Sequence, residues 1–201
     1  MLVTATEIVK ELKPLGSESI KKVLLKHGIQ EPLFGVKVEE LKKIQKRIKK
    51  DYRLALDLYD TGIYDAMYLA GLIADDPKMT KKDLRHWVEK ANCNTLSEYT
   101  VPWVAAESMY GRELALEWIE SRKEGVAASG WATLSGLVAI TDDAELDLAR
   151  IRRVRAFLFE TLYFADASAP DGIADLNSKL AKHERYERRA FSRRRRALRA
   201  M

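Results

Sequence analysis

Eight cationic side chains fall on two predicted helices and have the chemistry to neutralise phosphate groups. Five of them lie within residues 38–50 and three follow Thr80: Lys42, Lys43, Lys46, Arg47, Lys50, Lys81, Lys82 and Arg85. Ammonium and guanidinium groups hold the phosphates of a nucleic acid with little dependence on base sequence. We therefore expect these residues to help line a phosphate-facing surface. The solvated faces of ordinary helices also carry such runs, and that alternative stays open here.

The net charge of +5 is distributed unevenly along the chain. Residues 1–50 contain 12 Lys and Arg against 6 Asp and Glu, residues 51–150 contain 10 against 18, and residues 151–201 contain 13 against 6. Segregated charge of this kind indicates a polyanionic partner better than the total does. A solvated helix face together with a disordered basic tail would produce the same distribution.

Glu98 is the carboxylate that the local pattern singles out. Thr95 and Glu98 have the spacing of a capping box, in which each side chain accepts a backbone N–H at the start of a helix. That structural role alone would explain a glutamate at this position. Cys93 lies beside the same helix start, where the pKa of a thiol can be lowered. No His or Asp follows closely in sequence to make Cys93 a nucleophile.

The histidines do not form a metal-binding pattern. His27, His86 and His183 have no partners at the spacing of metal ligands. We therefore expect neither a metal nor a cofactor.

Short amphipathic helices must position all of these residues. Apolar residues recur at helical spacing in segments 2–12, 17–26, 38–49, 53–59, 65–74, 112–120, 126–140 and 143–164. Segment 65–74 is apolar on most sides and is expected to be central. Two further helices begin at Thr80 and Thr95, and the second is expected to bend at Pro102. Short helices must stack to bury their apolar stripes, so the sequence predicts an all-α, right-handed superhelical solenoid of antiparallel HEAT-like helix pairs.

Length and composition are those of one domain with a sizeable core. The chain has 201 residues, of which 47% are hydrophobic, and its single cysteine excludes an internal disulfide. The longest weakly polar run, residues 125–140, is short for a membrane span. Since no basic and then apolar leader pattern is present, we expect a cytoplasmic protein.

The composition changes at about residue 151. Residues 1–150 contain 16 Lys and 6 Arg, whereas residues 151–201 contain 2 Lys and 11 Arg. We expect a helical repeat domain over 1–150, continued over 151–201 by helices and an Arg-rich, disordered or divergent tail. The arginines at 193–196 would attract phosphate. A reading-frame shift near codon 151 would cause the same change, and part of the tail would then have no evolved function.

An ordered series of motifs lies between residues 34 and 87. It reads FGVKVEELKKIQKRIK and then LALDLYDTGIYDAMYLAGLIADDPKMTKKDLRHWV. The FG-V-V, G-I-Y-D-A, L-A-G-L-I-A-D and W-V elements, in this order and spacing, resemble the DNA alkylation repair enzyme family of AlkD-like proteins. The resemblance is specific over residues 34–87 and extends more weakly over residues 2–148.

The resemblance implies a HEAT-like solenoid and a DNA glycosylase that excises cationic 3- and 7-alkylpurines. Such an enzyme holds the phosphates of duplex DNA in a basic concave groove and needs no cofactor. A carboxylate stabilises the positive charge that develops on the sugar, and aromatic faces hold the cationic site. The family is known for working without flipping the base. We expect duplex DNA as the partner of a monomeric protein.

The resemblance also locates the expected active site, and this chain departs from the family pattern there. Glu98 stands where the family has its catalytic Asp, Asn94 where it has an aromatic residue, and Ala128 where it has an Arg. Trp103 or Trp131 could supply a displaced aromatic wall, although each of the four tryptophans is explained more simply as core.

Three functions remain open at this point. One is a divergent glycosylase, for which we expect weak or absent activity. The second is a non-catalytic helical scaffold that binds nucleic acid or protein. The third is a degenerate family member with neither activity.

Overall fold

The computed structural model describes residues 3–137 and 140, and every regular element in this part of the chain is helical. The helices are α1 Ala5–Leu15, α2 Glu18–Lys26, α3 Val38–Ile48, α4 Tyr52–Tyr59, α5 Tyr64–Ile73, α6 Lys81–Lys90, α7 Val101–Glu107, α8 Gly111–Trp118 and α9 Glu124–Leu137. A 3₁₀ turn, Asp76–Lys78, precedes α6, and a π turn, Leu96–Thr100, leads directly into α7. The all-α prediction is confirmed, and the right-handed superhelix stays a prediction.

The chain divides into two compact units, Met1–Thr133 and Leu134–Met201. The first contains α1 to α8 and most of α9, and the second is described only at residues 134–137 and 140. The predicted helix at 143–164, the predicted boundary near residue 150, His183 and the arginines at 193–196 lie outside the described residues. None of the described helices is long and apolar enough to cross a membrane.

Capping side chains fix where two of the helices begin. As predicted, α6 starts at Thr80, whose hydroxyl accepts the Asp83 N–H at 3.2 Å while the Asp83 carboxylate accepts the Thr80 N–H at 3.0 Å. Thr4 and Glu7 form the same box, so α1 begins at Ala5 rather than at residue 2. The expected end of the first helix at residue 12 is wrong, because α1 continues to Leu15. Pro14 lies in the last turn of α1, where its missing N–H removes a bond only at the helix end.

Successive helices of the first unit alternate between two rows. In one row, the Tyr52 hydroxyl of α4 donates to Asp83 of α6 at 2.8 Å, and Arg85 of α6 pairs with Glu117 of α8 at 2.6 Å. In the other row, α5 packs against both α3 and α7. Helix α4 packs on α5, α6 on α7, and α8 on α7, which joins the rows. This alternation is the arrangement of stacked HEAT-like helix pairs.

Helix α5 lies at the centre of the core, as its apolar composition predicts. All of its residues except Tyr68 and Leu72 are buried. It approaches the next helical segment closely at Gly71, where a Cβ would lie only 2.4 Å from the Thr100 methyl group. A side chain at residue 71 would therefore force the Thr100 side chain to move, so glycine suits the close packing of the two segments.

Asp65 explains why the FG-V and G-I-Y-D-A motifs occur together. Its side chain is fully buried, and its two carboxylate oxygens accept the N–H groups of Phe34 at 2.6 Å and Val36 at 2.7 Å. Buried backbone donors need such partners. The motif residues thus attach the loop before α3 to α5, which is a structural role.

Candidate nucleic-acid interface

The expected active-site segment is one continuous helical stretch, residues 94–107, interrupted by the π turn. Proline 102 accounts for the interruption, because it has no N–H and its ring would crowd a carbonyl oxygen four residues earlier. In the π turn the Val101 N–H donates to the Leu96 carbonyl, five residues back. Where the sequence predicts a bend at Pro102, the structure has a change of helical hydrogen bonding in the five residues Leu96–Thr100. Turns of this kind occur often at functional sites.

The predicted capping box of Thr95 and Glu98 is wrong. Thr95 already has helical dihedral angles, and its side chain caps no backbone N–H. Its hydroxyl instead interacts with Tyr64, whose pKa is raised to about 12 because burial outweighs that hydrogen bond. Cys93 takes the capping position, since its carbonyl accepts the N–H groups of Leu96 and Ser97. Burial raises the pKa of the Cys93 thiol, so the possible lowering considered from sequence is not observed.

The loss of the capping role leaves Glu98 without a structural explanation. Its side chain is half-buried and makes no hydrogen bond or ion pair with any residue that the structure describes. Asn94 is exposed four residues earlier, so the two side chains lie on neighbouring parts of the helix surface. Glu98 can therefore offer a free carboxylate, which is the group that the resemblance requires.

Only one of the four tryptophans is exposed. Trp87, Trp118 and Trp131 have exposed fractions of 0%, 2% and 9%, as the core interpretation predicts, but 39% of Trp103 is accessible. Trp131 is therefore poorly placed to form an aromatic wall. Trp103 belongs to the same helical stretch as Glu98, five residues later.

Trp103 is held by an aromatic neighbour that sequence reasoning missed. Its ring meets Tyr68 of α5 edge to face, with centroids 5.6 Å apart and planes at 83°. The ring of Tyr68 in turn lies beside that of Tyr64, with centroids 6.3 Å apart. Tyr99, on the same stretch as Trp103, is 43% exposed. The only sequence signal for Tyr68 was its place on α5, where the apolar pattern favoured a purely core role.

Ala128 provides no cation beside the π turn. It is buried near the start of α9, and the next residue, Ser129, donates its hydroxyl to the Ser97 carbonyl at 2.6 Å. This bond places the family's arginine position close to Glu98 in the fold. An alanine there can pack but cannot contribute charge.

The eight predicted phosphate-binding residues are not equally available. Five pair with carboxylates: Lys43 with Glu40, Arg47 with Glu11, Lys50 with Asp76, Lys81 with Glu113 and Arg85 with Glu117. The hydrogen bond that Arg85 donates to Glu117 lowers the pKa of Glu117, and the hydrogen bond that Arg47 donates to Glu11 raises the pKa of Arg47. Lys42, Lys46 and Lys82 are exposed and form no salt bridge with the residues described here. Among residues 3–137 and 140, no three potential metal ligands cluster.

Comparison with known proteins agrees with the resemblance. Residues 8–154 match the DNA alkylation repair enzyme family. The uncharacterized proteins Lin0241 of Listeria innocua and Lmo0209 of Listeria monocytogenes are each 30% identical over 158 residues, covering 75% of this chain and 70% of theirs.

A solved structure is similar as well. It is described as a new family of proteins related to the HEAT-like repeat DNA glycosylases with affinity for branched DNA structures. The match has a TM-score of 0.73 and 30% identity, and it covers 95% of this chain and 82% of the other. The family match, the relatives and the alternating helix rows agree: this chain belongs to the DNA alkylation repair enzyme family.

Proposed function

We propose that this protein binds DNA through the surface that presents Glu98 and Trp103, and that it prefers branched or partly unpaired DNA to continuous duplex. The observation that carries the proposal is the exposed side of residues 94–107, where a free carboxylate and an exposed indole share one helical stretch. Family membership and the branched-DNA affinity of the structural relative support it. A monomeric, cytoplasmic protein is part of the same proposal.

The phosphate contacts come first from the unpaired cations. Lys42 and Lys46 lie one turn apart on α3 and have no carboxylate partner among the described residues, so a phosphate displaces no described ion pair when it contacts them. The paired cations contribute differently. Exposed ion pairs are weak and compete with water, so a phosphate can take the place of Glu117 on Arg85 at little energetic cost.

Excision of cationic alkylpurines is the activity that Glu98 could still support. A cationic base has a weakened glycosidic bond, and a carboxylate near the sugar stabilises the charge that develops as the bond breaks. Two groups of the family site are replaced here by Asn94 and Ala128. We therefore propose that excision is weak or absent.

A non-catalytic scaffold is the second candidate, and the same two replacements favour it. Neither an exposed amide at Asn94 nor a buried methyl at Ala128 supplies an aromatic face or a cation. The surface can then hold DNA without changing it.

The test measures the affinity of the protein for three labelled DNAs across a series of salt concentrations. The DNAs are a three-way junction, a fork and a continuous duplex of equal length. The logarithm of the association constant should fall as the logarithm of the salt concentration rises, with a slope of about −0.9 for each phosphate neutralised. Replacing both Lys42 and Lys46 with Glu should remove most binding. Replacing Lys10 and Lys22 with Glu changes the net charge equally and is the matched control.

The contribution of the C-terminal arginines is separated by repeating the series with residues 193–196 changed to Gln. Equal losses in the lysine pair and its control would show that net charge alone is responsible. Wild-type protein that fails to bind any of the three DNAs would refute DNA binding.

A further inference from the structure

The Tyr68–Trp103 pair is a surface feature that core packing does not explain. Large aromatic residues usually bury most of their area, and the other three tryptophans do. Trp103 instead keeps 39% of its surface accessible while Tyr68 holds its ring at a fixed angle, with centroids 5.6 Å apart. The result is a partly open indole, with one aromatic neighbour, on the row formed by α3, α5 and α7.

The neighbourhood of this indole combines aromatic and polar groups. Tyr99 precedes Trp103 by four residues and is also exposed, so the two lie on the same side of the stretch. Asn94 and Glu98 add an amide and a carboxylate to its exposed part. On the other side, Tyr68 borders an open groove of about 390 Å³, which Tyr64, Ile20 and Leu24 also line.

An unpaired nucleobase matches this set of groups better than a phosphate does. The exposed face of a base stacks on aromatic rings whatever its sequence, and its amino and carbonyl edges can bond to amide and carboxylate groups. The bases of continuous duplex already stack on one another. Branch points, gaps and single-stranded arms expose base faces. The structural relative has affinity for branched DNA, which favours an unpaired base as the group that binds here.

We infer that Trp103, supported by Tyr68, stacks an unpaired base and gives the protein its preference for branched over continuous duplex DNA. This inference rests on the proposed DNA binding and adds the residue that discriminates between the two forms. The cations would then set the overall affinity and its salt dependence, whereas Trp103 would set the ratio between branched and duplex affinities.

The test compares Trp103→Ala and Trp103→Phe with the wild-type chain, using a three-way junction with an unpaired arm and a continuous duplex of equal length. Loss of one stacked base typically lowers affinity by about 5- to 150-fold. We expect Trp103→Ala to lose about tenfold or more on the junction and little on the duplex, with an unchanged salt slope. Trp103→Phe should recover part of the loss. Met109→Ala, which truncates an apolar side chain that is 81% exposed, is the control.

Fluorescence gives a second readout that a purely structural role would not move. All four tryptophans lie in the described part of the chain, and only Trp103 is exposed. Binding of an unlabelled oligothymidine should quench the emission of wild-type protein, and Trp103→Phe should lose most of that quenching. Thermal unfolding of each variant checks that the fold is retained.

Several outcomes would overturn the inference. Equal losses on junction and duplex, a changed salt slope, or quenching that persists in Trp103→Phe would show that Trp103 does not read unpaired bases. These results leave the proposed DNA binding intact, because they require that the wild-type chain binds. If the wild-type chain binds neither DNA, the proposed function fails together with the inference.

Discussion

The Ser129 hydroxyl donates to the Ser97 carbonyl oxygen, 2.6 Å away, and so supplies a donor that the helix itself lacks. In the π turn the Leu96 carbonyl accepts the Val101 N–H five residues ahead, but the residue five after Ser97 is Pro102, which has no N–H. A side chain of α9 thus completes the backbone bonding of the segment that carries Glu98. Both side chains are buried, so water cannot easily replace the bond.

Ser129→Ala should therefore destabilise the protein by about 1–3 kcal/mol, because a buried carbonyl loses its donor. Urea unfolding followed by circular dichroism measures the change. Ser19→Ala, at an exposed position on α2, should leave the free energy of unfolding nearly unchanged. A Ser129→Ala protein as stable as wild type would mean that Ser97 finds another donor.

Asp65→Asn should destabilise the protein because the buried carboxylate accepts two backbone N–H groups. An amide presents one oxygen, so either Phe34 or Val36 faces an NH₂ group instead. Each unsatisfied buried donor costs about 1–3 kcal/mol. Asp57→Asn, at an exposed position beside Arg53, is the control. Similar unfolding midpoints for both variants would contradict the role given to Asp65.

Acid should weaken the start of α6. Partial burial opposes the charge of Asp83, but hydrogen bonds from the Thr80 hydroxyl, the Thr80 N–H and the Tyr52 hydroxyl outweigh it and lower its pKa below the ordinary value of 3.8. Because the pKa of Asp83 is lower in the folded state, its carboxylate contributes its full stabilisation at pH values above the ordinary pKa. That stabilisation is lost as the pH falls through the pKa of the folded state.

Asp83→Asn measures this effect. At neutral pH it should cost about 0.5–2 kcal/mol, the range for a lost helix cap, and the difference from wild type should shrink as the pH falls below 3.8. Urea unfolding over a pH series gives both values. A difference that stays constant across the series would show that the charge of Asp83 is not involved.

Glycosylase activity should be weak or absent. Loss of one well-placed electrostatic group typically lowers a rate by about 10²–10³-fold, and Ala128 removes one such group. Glu98 has one methylene more than the family's Asp, and a misplacement of about 1 Å can itself cost about 10²-fold. The measurement is single-turnover release of 7-methylguanine and 3-methyladenine from alkylated duplex by wild type and Glu98→Gln.

Three outcomes of that comparison have different meanings. Rapid release that Glu98→Gln abolishes would show that the site retains full catalytic power, against the prediction. Rapid release that Glu98→Gln retains would place the chemistry elsewhere. Release at the uncatalysed rate in both proteins agrees with the prediction and favours the scaffold.

Local sequence signals predicted the helices well where neighbouring residues alone decide the structure. The capping box at Thr80 and the central position of α5 are examples. The pattern at Thr95 failed because residues outside the four-residue motif override it: the Thr95 hydroxyl interacts with Tyr64, Cys93 takes the cap, and Pro102 changes the register. Apolar periodicity gave no signal for the 39% exposure of Trp103, because its sequence neighbours are largely apolar. Four of the five ion pairs of the predicted phosphate-binding residues join residues 26–36 positions apart, beyond the reach of local patterns; the pair of Lys43 with Glu40 is local.

The ion pairs of the α4–α6–α8 row affect how a polyanion approaches the molecule. Carboxylates already compensate Lys81, Arg85, Lys90 and Lys123 along that row. Paired charges largely cancel at a distance, so among the predicted phosphate-binding residues only Lys82 on this row lacks a salt bridge with the described residues, whereas α3 has two such residues, Lys42 and Lys46. On the proposed function, we expect an incoming strand to be drawn toward α3 before any contact forms. We expect the carboxylates that pair with the cations of the α4–α6–α8 row to weaken early attraction to that row and so to orient the first collision with DNA.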